Sequence, residues 1–324
     1  MKAFIAALFG LFLLPPAGPD WGFFGHQKIN RLAVFTLPPE MIRFYKHHIN
    51  FIEEASVNPD RRRYSVEGEA PRHYIDLDHY GDSAAFTMPR RWEDAVEKFS
   101  EDTLQAYGIV PWHVHRMYRR LVDAMLTRDV HRILRVSSEL GHYVGDAHVP
   151  LHTTENYNGQ LTGQEGIHGF WESRLPELFF DEYDFFTGPA HYVDDVQNEV
   201  WNIVVQSHIA LDSVLRIEKK LANVFQEKRF AYETRGRQTQ KVFSTRYAHA
   251  YHQRLSGMVE RRMRSAILFL GCLWYSAWVD AGQPNLNELI DHPPTPEQIE
   301  QYRLEVEAWR TKRIASRPHE GQEQ

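Results

Sequence analysis

Two histidines in this chain are each followed, four residues later, by a carboxylate: His142 by Asp146 in "HYVGD", and His168 by Glu172 in "HGFWE". On a helix, residues four apart share one face, one turn apart, so each pair can aim a nitrogen and an oxygen at one point. Imidazole and carboxylate donors that converge in this way are ligand chemistry for zinc and related divalent ions. Pro150 interrupts any helix after Asp146 and carries His152 onto a turned chain. The polar, glycine-containing tract "TTENYNGQLTGQEG" then leads to the second pair. A surface ion pair would account for either pair alone. Two such pairs with His152 between them favour a metal site with an open position for catalysis. His148 has no evident partner and reads as structural.

Upstream stretches offer more donors. "PRHYIDLDHYGD" holds His73, Asp76, Asp78, His79 and Asp82, and "NPDRRRYSVEGE" holds Asp60 beside Arg61, Arg62 and Arg63. From spacing alone both read as solvated loops, and the arginines as a solvated charge run. In "WGFFGHQKIN", cleavage before Trp21 would free its amine, which with its carbonyl oxygen can chelate an ion, and His26 would add a nitrogen. Without cleavage Trp21 is an interfacial aromatic and His26 a plain polar residue. The single cysteine, Cys272, sits in the apolar run "AILFLGCLW" and reads as a core thiol. No disulfide can form within the chain, and any metal must be held by His, Asp and Glu.

The elements that must position these groups are mostly helical. "QKINRLAVF" places Ile29, Leu32 and Ala33 on one face, and "LPPE" opens a further helix at Pro39. "HVHRMYRRLVDAML" repeats Val114, Met117, Leu121 and Met125 at helical spacing. "VDDVQNEVWNIVVQSHIALDSVLRIEKKLANVF" is long and amphipathic, and "SGMVERRMRSAILFLGCLWYSAWVDAG" closes at Gly282 and Pro284. Alternating strand patterns are scarce, so the chain is expected to be all-α, a single multi-helix domain with few or no strands. Residues 1–20 read as a signal peptide: one early Lys, then an apolar run from Ala3 to Leu14 that is too short to span a bilayer. Residues 21–282 form the expected domain, and 283–324 a polar C-terminal tail, helical near "PEQIEQYRLEVEAW" and loose at its end. With 43% hydrophobic and 25% charged residues the composition is globular, and a net charge of -6 argues against a broad cationic face for duplex nucleic acid.

Taken in order, "WGFFGH", "PDRRR", "HYIDLD", "HYVGDAHVPLH" and "IHGFWE" resemble the superfamily of zinc-dependent phospholipases C and single-strand-specific zinc nucleases. The resemblance implies an all-α fold with three Zn2+ ions in a cleft. It assigns Asp60, His73, His142 and Asp146 to one zinc. A close neighbour would share Asp146 and take His26 with the amine and carbonyl of Trp21. The third would take His152, His168 and Glu172. It also implies attack on phosphorus by metal-activated hydroxide, with Asp60 as orienter or base for that water.

The substrate implied is a phosphodiester, either a phospholipid headgroup ester or short single-stranded nucleic acid. Glu172, where the nucleases usually have Asp, and the departure of "TTENYNGQLTGQEG" from their Asp-rich, Gly-Gly-Asn loop lean toward the lipid branch. "WGFFGH" and "HYVGDAHVPLH" also resemble the nucleases. Tyr143, Tyr157, Phe170 and Trp171 lie near enough in sequence to stack on bases, although helix packing explains them as well. "RLSGMVERRMR" reads as a solvated helix face and allows a transient membrane-surface contact. No obligate protein partner is evident. The expected protein is an exported enzyme, periplasmic or extracellular; the alternative from another class is an exported zinc-binding protein without turnover.

Overall fold

The computed structural model describes residues 23–314, apart from 236, 237 and 293. The expected signal peptide and Trp21 therefore lie outside the described residues. The fold is all-α. The only strands among the described residues are Phe230–Arg235 and Gln238–Phe243, an antiparallel hairpin with Phe230 opposite Phe243 and Tyr232 opposite Lys241.

The helix Val130–Ala147 runs through the middle. Asp129 caps its start by accepting a hydrogen bond from the Arg132 amide at 3.1 Å. From Ser137 to Ala147 every residue is buried. A helix buried on all sides must find a use for each polar group it carries. It is enclosed by the helices Phe23–Ala33, Ile49–Ala55, Val110–Leu126 and Met258–Asp280.

Those neighbours follow the apolar spacing. Val114, Met117, Leu121 and Met125 are all buried on Val110–Leu126. Ile29 and Ala33 are buried on Phe23–Ala33, and Pro39 stands in the first turn of Pro39–His47. The long amphipathic segment forms Val196–Phe225, capped by Asp195 and packed over the turn Pro150–Thr153. Met258–Asp280 ends where Gly282 takes φ +76° and its amide donates to the Val279 carbonyl at 2.9 Å.

The polar segment after 282 contains the helix Pro296–Thr311, begun by a capping box of Thr295 and Gln298. Its Trp309 is buried, and the helix packs against the short helix Asn58–Arg62. Among the described residues, no helix is long and apolar enough to cross a membrane.

Candidate metal centre

Three groups of buried atoms that could hold an ion meet in this core, the first two sharing His142: Asp60, His73 and His142; His26, His142 and Asp146; and His152, His168 and Glu172. In the first, His73 Nδ1 lies 3.0 Å from His142 Nε2 and 3.0 Å from Asp146 Oδ2. His142 Nε2 is 3.3 Å from that same Asp146 oxygen. Asp60 Oδ1 stands 3.5 Å from His142 Nε2 and 3.6 Å from His73 Nδ1. Four ligand atoms held about 2.0–2.1 Å from a tetrahedral zinc would lie about 3.3 Å from one another. The observed separations bracket that edge.

The second histidine–carboxylate pair closes the same way. His168 Nε2 is 2.7 Å from Glu172 Oε2, and His152 Nε2 is 3.1 Å from that oxygen and 2.9 Å from His168 Nε2. His26 links the two groups. Its Nε2 stands 3.4 Å from Asp146 Oδ1 and 3.7 Å from Glu172 Oε1.

Local structure explains how these atoms meet. Gly141 and Gly145 share a helix face four apart, and the helix Phe23–Ala33 lies directly on it. A Cβ at 141 would sit 2.3 Å from Asn30 Oδ1, and one at 145 would sit 2.8 Å from His26 Nδ1. Only glycine lets the first helix approach closely enough for the His26 ring to stack on His142, with centroids 3.9 Å apart. Pro150 ends the central helix as its spacing predicts, and His152 rides on the 3-10 turn Pro150–Thr153. The Ile75 amide donates to the His152 carbonyl at 2.9 Å, and His152 Nδ1 contacts the His73 carbonyl at 2.5 Å. That contact fixes Nδ1 as the protonated nitrogen and turns the Nε2 lone pair toward His168 and Glu172. Glu172 sits in a π-turn, Phe170–Arg174, that continues the helical turn carrying His168.

The electrostatics suit a bound cation. Burial pushes the His73 imidazole down to about 3 and the His142 imidazole to about 4, so both stay neutral and keep lone pairs for a metal. Burial, followed by repulsion from Asp60 and Glu172, drives the Asp146 carboxyl well above its ordinary value. Burial would also raise Glu172, but His168 and His152 outweigh it and hold that carboxyl well below the usual range. Both ring nitrogens of His26, Asp146 Oδ1 and Glu172 Oε1 are buried with no hydrogen-bond partner among the described residues. Buried donors and acceptors left this way are costly unless something binds them. The donor set and its spacing fit divalent ions such as zinc.

The sequence does not reveal what stands behind these ligands. His73 Nε2 faces Glu69 Oε1 at 3.6 Å, just beyond hydrogen-bond distance. Arg62 Nε donates to Glu69 at 2.8 Å and Arg62 Nη1 to Glu139 at 2.7 Å, while the Tyr143 hydroxyl donates to Glu69. Arg62 and Arg63 are thus buried and not part of a solvated run. The partners of Arg62 include Glu139 on the helix Val130–Ala147, which local spacing cannot show. Arg63 Nε and Nη1 have no hydrogen-bond partner among the described residues, and the arginine's charge pulls down both His73 and Asp146.

Other candidates fall outside the clusters. Asp78 accepts from Thr154 Oγ1 at 2.6 Å and braces the loop after His152, while His79 stacks on Tyr107. His148 spans two helices, with Nδ1 2.7 Å from the Val144 carbonyl and Nε2 3.1 Å from Ser265 Oγ. Tyr143, Phe170 and Trp171 are buried in packing, and only Tyr157 stays partly open, with its ring edge-on to His168 at 5.9 Å. Arg262, expected on a solvated face, is buried and donates to the His148 carbonyl at 2.8 Å.

A model of the S1/P1 nuclease family matches residues 21–263. No individual curated protein matches the sequence. Among solved structures, the chain is similar to Clostridium perfringens alpha-toxin isolated from avian strain SWCP, with a TM-score of 0.46 and 12% identity. That match covers 82% of this chain and 66% of the toxin chain, so the chain spans slightly less than two thirds of the toxin's length.

Proposed function

Because the chain belongs to the S1/P1 nuclease family, we propose that it is a zinc-dependent hydrolase of phosphodiester bonds. The observation that carries this reading is the set of buried ligand groups that share His142 and Asp146 and reach Glu172. Asp60, His73, His142 and Asp146 would hold one zinc, and His152, His168 and Glu172 another. His26 and Asp146, with the amine and carbonyl of Trp21 once that residue is the N-terminus, would hold a third. Bound zinc supplies Lewis-acid charge and brings the pKa of water toward about 7.

The protein's own groups do the rest. Asp60 orients the attacking water and takes its proton. Asp146 aims one oxygen at His73 and His142 and the other at His26, so it holds two parts of the centre in register. The buried guanidinium of Arg63, within electrostatic reach of His73 and Asp146, would grip a phosphoryl oxygen as charge builds there. Family membership favours single-stranded nucleic acid as substrate, and Glu172 favours a phospholipid headgroup ester. The apolar N-terminal run supports export.

The test is turnover by the purified, zinc-loaded mature protein on single-stranded DNA, single-stranded RNA and phosphatidylcholine, each with and without chelator. Chelator-sensitive cleavage of either class supports the hydrolase and names its branch. Zinc uptake without turnover on any of them would favour the non-catalytic zinc-binding reading. Alanine at His142 or Asp146 should abolish zinc-dependent hydrolysis, and full activity with stoichiometric zinc in either variant would sink the ligand assignment. N-terminal sequencing of the exported protein decides whether Trp21 supplies its amine.

A further inference from the structure

The helix Pro296–Thr311 lies beyond residues 21–263, where the family model matches, yet it is docked on the short helix that carries Asp60. Asp60 sits on the five-residue helix Asn58–Arg62, far too short to hold its shape alone. Three hydrogen bonds fasten that stretch to the C-terminal segment. Asn58 Nδ2 donates to the Tyr302 hydroxyl at 2.6 Å, Ser65 Oγ donates to the Trp309 carbonyl at 2.8 Å, and the Ile314 amide donates to the Tyr64 carbonyl at 2.7 Å. The Trp309 ring covers the Arg62 guanidinium, 5.8 Å from its centroid.

A chain of charges runs from the same helix toward the ligands. Glu305 pairs with Arg135 at 2.7 Å, Arg135 with Glu139 at 3.2 Å, and Glu139 with Arg62 at 2.7 Å. Arg62 then holds Glu69, which faces His73.

We propose that the C-terminal helix braces the Asp60 and His73 ligands, with Trp309 and Tyr302 as positioning residues. The hold of that cluster on a divalent ion is then set by the far end of the chain. The inference rests on the metal-site reading above. A helix that merely covered apolar surface would change thermal stability and leave the ligands' grip on the ion unaltered.

The experiment uses the full-length mature chain loaded with Zn2+, and separately with Co2+ as a spectroscopic probe. Release of zinc to an excess of chelator is followed in time for the parent, Trp309→Ala, Trp309→Phe and Tyr302→Phe. The release phases are assigned with His152→Ala, which removes a donor from the His152, His168 and Glu172 cluster, and with His26→Ala, which removes one from the group that shares Asp146. Removing a group that orients a ligand typically costs about tenfold to a hundredfold in metal affinity. Trp309→Ala should therefore release the ion of the Asp60 cluster about tenfold faster or more, and alter the Co2+ absorption bands of that cluster. Trp309→Phe, which restores a ring over Arg62, should return release to within about twofold of the parent.

Release and spectra equal to the parent in Trp309→Ala, with only its melting temperature lowered, would overturn the brace while leaving the metal site standing. Should that variant not fold, Tyr302→Phe, which loses only one hydroxyl, decides by the same readings. A parent protein that takes up no divalent ion would overturn the site and the brace together.

Discussion

At the scale of single residues, glycines decide the site as much as ligands do. Gly145 leaves 2.8 Å between a hypothetical Cβ and His26 Nδ1, so Gly145→Ala must push His26 off Asp146. Helix propensity favours the alanine by about 1 kcal/mol, so the variant should still fold. Its affinity for the ion at His26 should fall about tenfold to a hundredfold, read by equilibrium dialysis; unchanged affinity would remove His26 from the ligand set. The i, i+4 pairs were legible because a helix converts that spacing directly into proximity. His168 and Glu172 meet at 2.7 Å, and His142 and Asp146 at 3.3 Å. Asp60 and His73 were not legible by spacing, since a short helix and a 3-10 turn carry them and the resemblance alone assigned them. Arg62 was misread for the same reason: its partner Glu139 lies 77 positions away.

At the scale of elements, the helical pattern was readable wherever a face alternates at period 3.6, as on Val110–Leu126. The docking of Pro296–Thr311 was not, because its exposed face is highly charged and its anchors, Tyr302 and Trp309, are isolated in sequence. The ion chain beneath that helix makes a prediction about acid stability. Burial alone would raise the Glu139 carboxyl, but Arg62 and Arg135 hold it below its ordinary value. A carboxyl depressed in the folded state binds fewer protons there than in the unfolded chain, so its contribution is complete above the unfolded value and is lost as pH falls through the folded one. Glu139→Gln should cost about 1.5–3 kcal/mol near neutral pH, less than orphaning a charge outright because Arg62 keeps Glu69 and Arg135 keeps Glu305. Urea unfolding of parent and variant across pH should show the gap closing as pH drops below the ordinary value of 4.5. A gap constant down to strong acid would mean that Glu139 contributes by shape and not by charge.

At the scale of the whole molecule, a bound ion would make the proposed centre a stability element as well as a chemical one. Asp60, Asp146 and Glu172 face one another inside the core, and cations that bind only the folded state stabilise it by mass action. A free ion concentration 100 times the dissociation constant is worth about 2.7 kcal/mol. The chelated protein should therefore melt several degrees below the zinc-loaded one, with a midpoint that climbs as zinc is added. A melting temperature indifferent to zinc and chelator would show that these clusters do not bind it.

The contacts that close the centre also span the chain. His73 and His142 are 69 positions apart, and the bond from Asn58 to Tyr302 joins residues 244 apart. A chain still being synthesised holds only fragments of this centre until residues from His26 to Glu172 have emerged together, and lacks the proposed brace until Pro296–Thr311 follows. Contacts so distant in sequence form late in folding. On the zinc reading, ion uptake would follow the closing of these contacts, and the ion would be drawn from whichever compartment the chain folds in.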